Sequence, residues 1–242
     1  MTAPAPNPIQ APGTGEQAWR TWAGLGQLPA LGIDGWASAA IVAAHPDDEV
    51  LGAGGIIAVL AAAGARLRLV SVTDGEASHP GAGDPRALAQ RRVAETAQAL
   101  RALGAQHTEV IRLRLPDTGL ASHEAELTTR LADLTAGFGV CLAPWHRDVH
   151  ADHEVAGRSA RRATGRTLCY PVWMWHWAVP GDLRVPWHRA LRVPLPAAVA
   201  AAKRAAIGCF ASQLEDRGAG LGPVLAPGTV AHFSRDQEVL FR

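Results

Sequence analysis

The twelve residues Ser38–Glu49, SAAIVAAHPDDE, decide how this chain reads. The first seven, Ser38 to Ala44, are small, apolar and uncharged, the composition of a short strand buried on both faces of a sheet. At His45 the apolar run stops, and an imidazole and three carboxylates (Asp47, Asp48, Glu49) follow within five residues. Such groups are costly to desolvate without partners. The carboxyl end of a strand in a doubly wound sheet is also where ligands bind. An acidic helix start answering the helix dipole is the competing reading, but a cap does not call for His-Pro ahead of two Asp and a Glu. A metal or catalytic site is the better account.

Outward from this stretch, strands and helices alternate. Val50–Ala63 reads as a helix closed by Gly64 at C′, and Arg66–Thr73 as a strand. Asp84–Leu103 reads as a helix with Asp84 as N-cap, Pro85 at N1 and Gly104 as its stop. Strands are expected at 109–115, 138–143, 167–172 and 191–194, and helices at 123–136, 151–163 and 197–212. This alternation predicts an α/β fold: a doubly wound, mainly parallel, Rossmann-like sheet with helices on both faces. Residues 16–242 form one domain behind a Pro- and Ala-rich flexible leader, 1–15. The segments 173–187 and 218–228 read as loops inserted in that domain. Trp173, Trp175 and Trp177 alternate like a strand and would point to one face, as core packing, a substrate wall or a dimer contact.

The chain has 242 residues, 48% hydrophobic and 19% charged, which excludes disorder along most of its length. A net charge of +1 gives no electrostatic footprint for nucleic acid or an anionic membrane. The uncharged run 50–65 is too short, and too rich in Gly, to span a bilayer of about 20 helical residues. Cys141, Cys169 and Cys209 are far apart and odd in number, so reduced thiols and a cytoplasmic location are expected. The leader has neither the basic nor the apolar part of a signal peptide. Two counts stand out: ten His, and eight Trp beside four Phe and one Tyr.

A second cluster follows the strand 138–143: His146, Asp148, His150, Asp152 and His153 fall within eight residues. His150 and His153 are three apart and share a side at a helix start. The other strand ends are polar too, with Asp74 and Glu76 after one and Asp117 after another. Parallel strands bring all four ends to one rim, and that convergence outweighs any single motif.

These residues resemble the PIG-L/LmbE-like deacetylases: AHPDDE at 44–49, TDGE at 73–76, HADH at 150–153 and KRAAIGCFASQ at 203–213. The motifs run in the family's order over residues 40 to 215. Ala151 stands where the family's second motif usually has Pro, a change of loop stiffness. The resemblance implies a metal-dependent removal of an acetyl group from an N-acetylated aminosugar conjugate, a small-molecule substrate. It makes His45, Asp48 and His153 the metal ligands, a set suited to Zn²⁺ and able to hold Fe²⁺. It makes Asp47 the general base and His150 the imidazolium that steadies the oxyanion, with Asp152 orienting His150 and raising its pKa. Arg92 and Asp117 match positions that hold sugar hydroxyls. Glu49 is expected to anchor its loop, and Lys203, Ser212 and Gln213 to lock the last helix to the sheet. His232 reads as a surface His or one returning to the site. An amidase for a larger acyl or thiol-sugar conjugate, and a non-catalytic metal- or sugar-binding module, stay open, as does homo-oligomerisation.

Overall fold

β1 (Ser38–Ala43) is the centre of the molecule and is buried from Ala39 onward, as its small apolar side chains require on a strand covered on both faces. The computed structural model describes residues 8–81, 83–218 and 220–242. Two short helices, α1 (Glu16–Thr21) and α2 (Ala23–Gln27), precede β1. Then come α3 (Asp48–Ala62), β2 (Arg66–Ser71), α4 (Pro85–Ala102), β3 (Glu109–Arg112), α5 (Glu124–Thr135), β4 (Val140–Pro144), α6 (Ala151–Ala163) and β5 (Thr167–Tyr170). The chain finishes with α7 (Met174–Trp177), β6 (Ala190–Pro194), α8 (Ala197–Ile207), α9 (Ala211–Leu214), α10 (Pro227–Ala231) and β7 (Gln237–Phe241).

The seven strands lie in the order β3-β2-β1-β4-β5-β7-β6. β1 pairs in parallel with β2 on one side and with β4 on the other, with Ile41 opposite both Leu69 and Leu142. β7 runs antiparallel between β5 and β6. The strand order reverses between β1 and β4, so the loops leaving these two strands open onto the crevice where such sheets bind ligands. The fold is the expected Rossmann-like α/β sheet. Among the described residues no helix is long and apolar enough to cross a membrane.

Local chemistry accounts for the helix ends. The Asp84 carboxylate accepts the Arg86 N–H, with Pro85 at N1. Gly64, at φ +73°, closes α3 with the Ala65 N–H returning to Leu60 O, a Schellman turn that needs the left-handed conformation. Other expectations are corrected. The helix expected over 197–212 stops at Ile207 and restarts at Ala211. The strand-like 173–177 segment is a helical turn, because Asp148 accepts the backbone N–H groups of Val172, Trp173 and Met174 and so caps it. Residues 1–7 of the expected leader lie outside the described residues. Its remainder is tied down: Ala11 O is 2.8 Å from His176 Nε2, and the Thr14 N–H donates to His176 O.

Three tryptophans and a phenylalanine build much of the core behind the β5–β7–β6 edge. Trp19 is fully buried, donates its indole N–H to Trp175 O and meets the Trp175 ring edge-on at 5.1 Å. Trp145 stacks on Phe241 at 4.8 Å. Trp175 is therefore core, whereas half-buried Trp173 faces the cavity described next.

Candidate active site

The loops after β1, β2, β3 and β4 meet at the carboxyl edge of the sheet around a cavity of about 660 Å³. His45, Asp47, Asp48, Arg92, Asp117, His150 and His153 all line it. Among the described residues four non-glycine residues have positive φ, and all four lie on these loops: Asp47 (119°), Arg114 (55°), Thr118 (64°) and Val149 (74°). Backbone of this kind costs about 1–3 kcal/mol per residue and persists where the surroundings over-determine it. Asp47 is held in that way. Its N–H donates to Glu49 Oε2, its carbonyl accepts the Val50 and Leu51 N–H groups, and its carboxylate lies 3.1 Å from Arg92 Nη2.

Asp48, at the first turn of α3, bridges the two clusters. Oδ2 accepts the His45 N–H at 2.8 Å and lies 3.5 Å from His45 Nδ1, while Oδ1 is 3.2 Å from His153 Nε2. The two imidazoles hold its carboxyl well below the usual range against the opposing effect of burial. His153 Nδ1 is 2.8 Å from Asp148 Oδ2 on the other side of the ring. Nε2 is thereby left facing Asp48, the arrangement in which a carboxylate orients a metal-ligating imidazole. Donor atoms of His45, His150 and His153 lie within 4.8 Å of one another. Two buried imidazoles, a buried carboxylate and a rear carboxylate on one ring fit a small divalent cation such as Zn²⁺.

Asp47 faces the same space. Burial pushes its carboxyl up to about 7, against the pull of the Arg92 charge and with the Asp48 charge adding to the rise. Glu49, fully buried behind it, is carried up to about 8 by burial, and one of its oxygens has no partner among the described residues. It ties down the Asp47 N–H, which is the anchoring expected of it.

Two expected roles change. Asp152 does not orient His150: its carboxylate accepts the Thr118 and Leu120 N–H groups and lies 3.2 Å from His45 Nε2. His150 Nδ1 has no hydrogen-bond partner among the described residues. Burial, with the charges of His153 and His45, pushes His150 down to about 3. This shift runs opposite to the rise that support from Asp152 was expected to give it.

The sugar-binding expectations divide as well. Arg92 spends its guanidinium on the protein, donating to Gly75 O, Pro46 O and Asp47. Asp117 accepts the Ala77 N–H with one oxygen and places the other 3.2 Å from His45 Nε2. Asp74 is bound by Arg112 through two hydrogen bonds, and Glu76 accepts the Asp117 N–H, so both shape the rim. His232 is neither a surface nor a site residue, being buried against Glu16 at 2.8 Å. Lys203 links α8 to Glu238 on β7, and Ser212 binds Glu95 on α4 instead of the sheet.

Asp148 was the residue missed. It stood in the second cluster without a role because its backbone partners lie 24 to 26 residues further on. The outer cavity wall was missed as well: Ile9, Gln10 and Ala11 of the N-terminal segment and residues of the 217–226 loop.

Over residues 40–164 the chain matches the model of the PIG-L family, described as GlcNAc-PI de-N-acetylase. Among curated proteins no match is found. The structure is similar to that of N,N′-diacetylchitobiose deacetylase from Pyrococcus horikoshii, at 20% identity and a TM-score of 0.61 over 86% of this chain and 82% of that one. A deacetylase–teicoplanin complex from the teicoplanin biosynthesis pathway is similar at 17% identity and a TM-score of 0.57, over 84% and 96%. GalB, the 4-carboxy-2-hydroxymuconate hydratase from Pseudomonas putida KT2440, is similar at 23% identity and a TM-score of 0.53, over 73% and 79%. At these identities the likeness is one of fold, and with a hydratase beside two deacetylases the chemistry must be argued from the site.

Proposed function

The chain belongs to the PIG-L family of GlcNAc-PI de-N-acetylases, and from that membership we propose that it hydrolyses the acetamide of an N-acetylated aminosugar conjugate with a divalent cation held by His45, Asp48 and His153. The observation that carries the proposal is the junction of this donor set with Asp47 in one cavity. Zn²⁺ or Fe²⁺ bound there supplies Lewis acidity, polarising a carbonyl and bringing water toward a pKa of roughly 7.

The protein's own groups do the rest. Asp47 takes a proton from the water that adds to the amide carbon, and Arg92 and Glu49 keep its carboxylate in place for that transfer. His150, half-buried in the cavity wall, donates a hydrogen bond to the oxygen that gains charge. As the C–N bond breaks, Asp47 returns its proton to the nitrogen, so the free amine and acetic acid leave, the acid giving its proton to solvent as acetate, and the carboxylate is regenerated. Asp117 and Trp173 line the same cavity and would flank an aminosugar bound there.

Acetate release from N-acetylglucosaminyl conjugates tests this reading. Activity should disappear with a chelator, return with Zn²⁺ or Fe²⁺, and fall by about 10²–10⁴ in Asp47→Asn. Turnover that survives both changes overturns it. Ile9, Val172, Trp173, Leu221 and Leu225 give the outer wall an apolar stretch, which favours the second reading, a larger acyl group. A panel of N-acyl lengths separates the two by which one has the lowest KM.

A further inference from the structure

At the opposite, amino edge of the sheet lies a second cavity, of about 500 Å³. Four arginines line it, each from a different segment. Arg161 belongs to the last turns of α6 and Arg166 to the turn into β5; Arg189 precedes β6, and Arg242 follows β7. β7 is antiparallel to its neighbours, so its last residue reaches the edge from which β6 sets out, and the Arg242 N–H donates to Arg189 O. Trp36, Gly139, Val140 and Thr164 to Leu168 complete the lining, and no carboxylate side chain is among it.

Arginine is abundant in this chain, and an exposed guanidinium on its own means little. What distinguishes these four is their convergence on one lining without a carboxylate side chain, since Arg86, Arg101, Arg114, Arg147 and Arg204, which also form no ion pair among the described residues, do not line it. Elsewhere Arg20, Arg68, Arg91, Arg112, Arg130, Arg184 and Arg235 each have a carboxylate. On α6 itself, Arg158 and Arg162 turn to Glu124 on α5. Arg161, between them, turns the other way. Among the described residues none of the four lining arginines forms an ion pair. Burial pushes the Cys169 thiol up to about 11, opposed in small part by the charge and a hydrogen bond of Arg161 and by the charge of Arg189, so both arginines lie near it. The dipole at the C-terminus of α6 accounts for one cation in its last turn, but not for three more brought from other segments.

Four exposed guanidinium groups lining one concavity repel one another, and an anion bound among them relieves that repulsion. Guanidinium is planar, weakly hydrated and matched to two oxygens at once, which suits phosphoryl groups. We propose that this cavity is a binding site for a small phosphate-bearing anion, separate from the catalytic cavity across the sheet. Its volume suits a ligand no larger than a few phosphoryl groups with a small organic part. The chain's even overall charge gives a long polyanion no continuous track.

The test is calorimetric titration of the full chain with inorganic pyrophosphate and, separately, inorganic phosphate, at 50 and 150 mM salt. Wild type should bind pyrophosphate more tightly than phosphate, weakening several-fold at the higher salt. Arg189→Ala/Arg242→Ala should weaken binding at least tenfold while still releasing acetate. Arg166→Gln, one charge fewer on a turn, should show a smaller loss in the same direction. Pyrophosphate can also engage a catalytic cation, so any binding that persists unchanged in the double variant belongs there and overturns the proposal. Binding only at tens of millimolar, equal for phosphate and pyrophosphate, also overturns it. So does a wild-type dimer that the double variant dissolves, since the arginines would then serve an interface.

Discussion

Asp148 shows how much one buried carboxylate can hold together. It accepts from His153 Nδ1 at 2.8 Å and from three backbone N–H groups of the β5–α7 connection, with no solvent exposure. The same side chain thus fixes the ring of a proposed metal ligand and the turn that sets Trp173 on the cavity wall. Asp148→Asn keeps the volume but trades an acceptor for a donor. Metal affinity, read by competition with a zinc chelator, should fall by about 10–100-fold. An affinity equal to wild type would mean that His153 needs no support from behind. Gly157 is a second single-residue constraint, since a Cβ there would lie 2.3 Å from Pro144 O and 2.8 Å from His146 N, both backbone atoms. Gly157→Ala must therefore push α6 off the β4 loop. Denaturant unfolding should show a loss of about 1–3 kcal/mol, and an unchanged midpoint would show that the loop yields freely.

Among the elements, α3 separates what local pattern can announce from what it cannot. Its apolar run and its stop at Gly64 were readable because both are local. Its break is not: Ala53 sits at φ −141°, ψ 15°, and the freed Gly55 and Ile56 N–H groups donate to Glu238 on β7. Glu238 in turn binds Lys203 on α8 at 2.6 Å, all of it buried. A strand nearly two hundred residues away completes the helix, and β7 itself escaped notice because its five residues carry no period distinct from a loop. The site divided in the same way. Ligand candidates within one motif were legible, whereas Asp148 with its distant backbone partners and the outer wall were not, since each depends on how loops pack. Glu238→Gln should leave Lys203 as an uncompensated buried charge and cost about 3–5 kcal/mol in chemical unfolding. Adding Lys203→Met should recover part of that loss. A double variant no more stable than the single one would show that the backbone N–H bonds, and not the ion pair, carry the effect.

At the scale of the molecule, an even charge balance conceals a polar arrangement: acids and imidazoles at the carboxyl edge of the sheet, unpaired arginines at the amino edge. A third charged group fastens the N-terminal helix to the C-terminal part of the chain. Glu16 on α1 is held by His232 at 2.8 Å and by Arg235 at 2.9 and 2.6 Å. Burial raises its carboxyl, but the hydrogen bonds from His232 and Arg235 and the Arg235 charge outweigh that and carry it down from 4.5 to about 2. A carboxyl whose folded pKa is lowered stabilises the fold fully above its unfolded value and loses that contribution as the pH falls toward the folded one. The window here is therefore pH 4.5 down to about 2. The full shift corresponds to about 1.4 kcal/mol per unit; with Glu16 only partly buried, solvent screening leaves on the order of 1–2 kcal/mol. Glu16→Gln should be less stable than wild type at neutral pH by roughly that amount. The gap should close as the pH is lowered through the window, because wild type loses what the variant never had. Urea unfolding of both proteins at pH 6, 4 and 3 reads this directly, and parallel losses across the series would mean that the Glu16 contacts are too solvated to stabilise the fold.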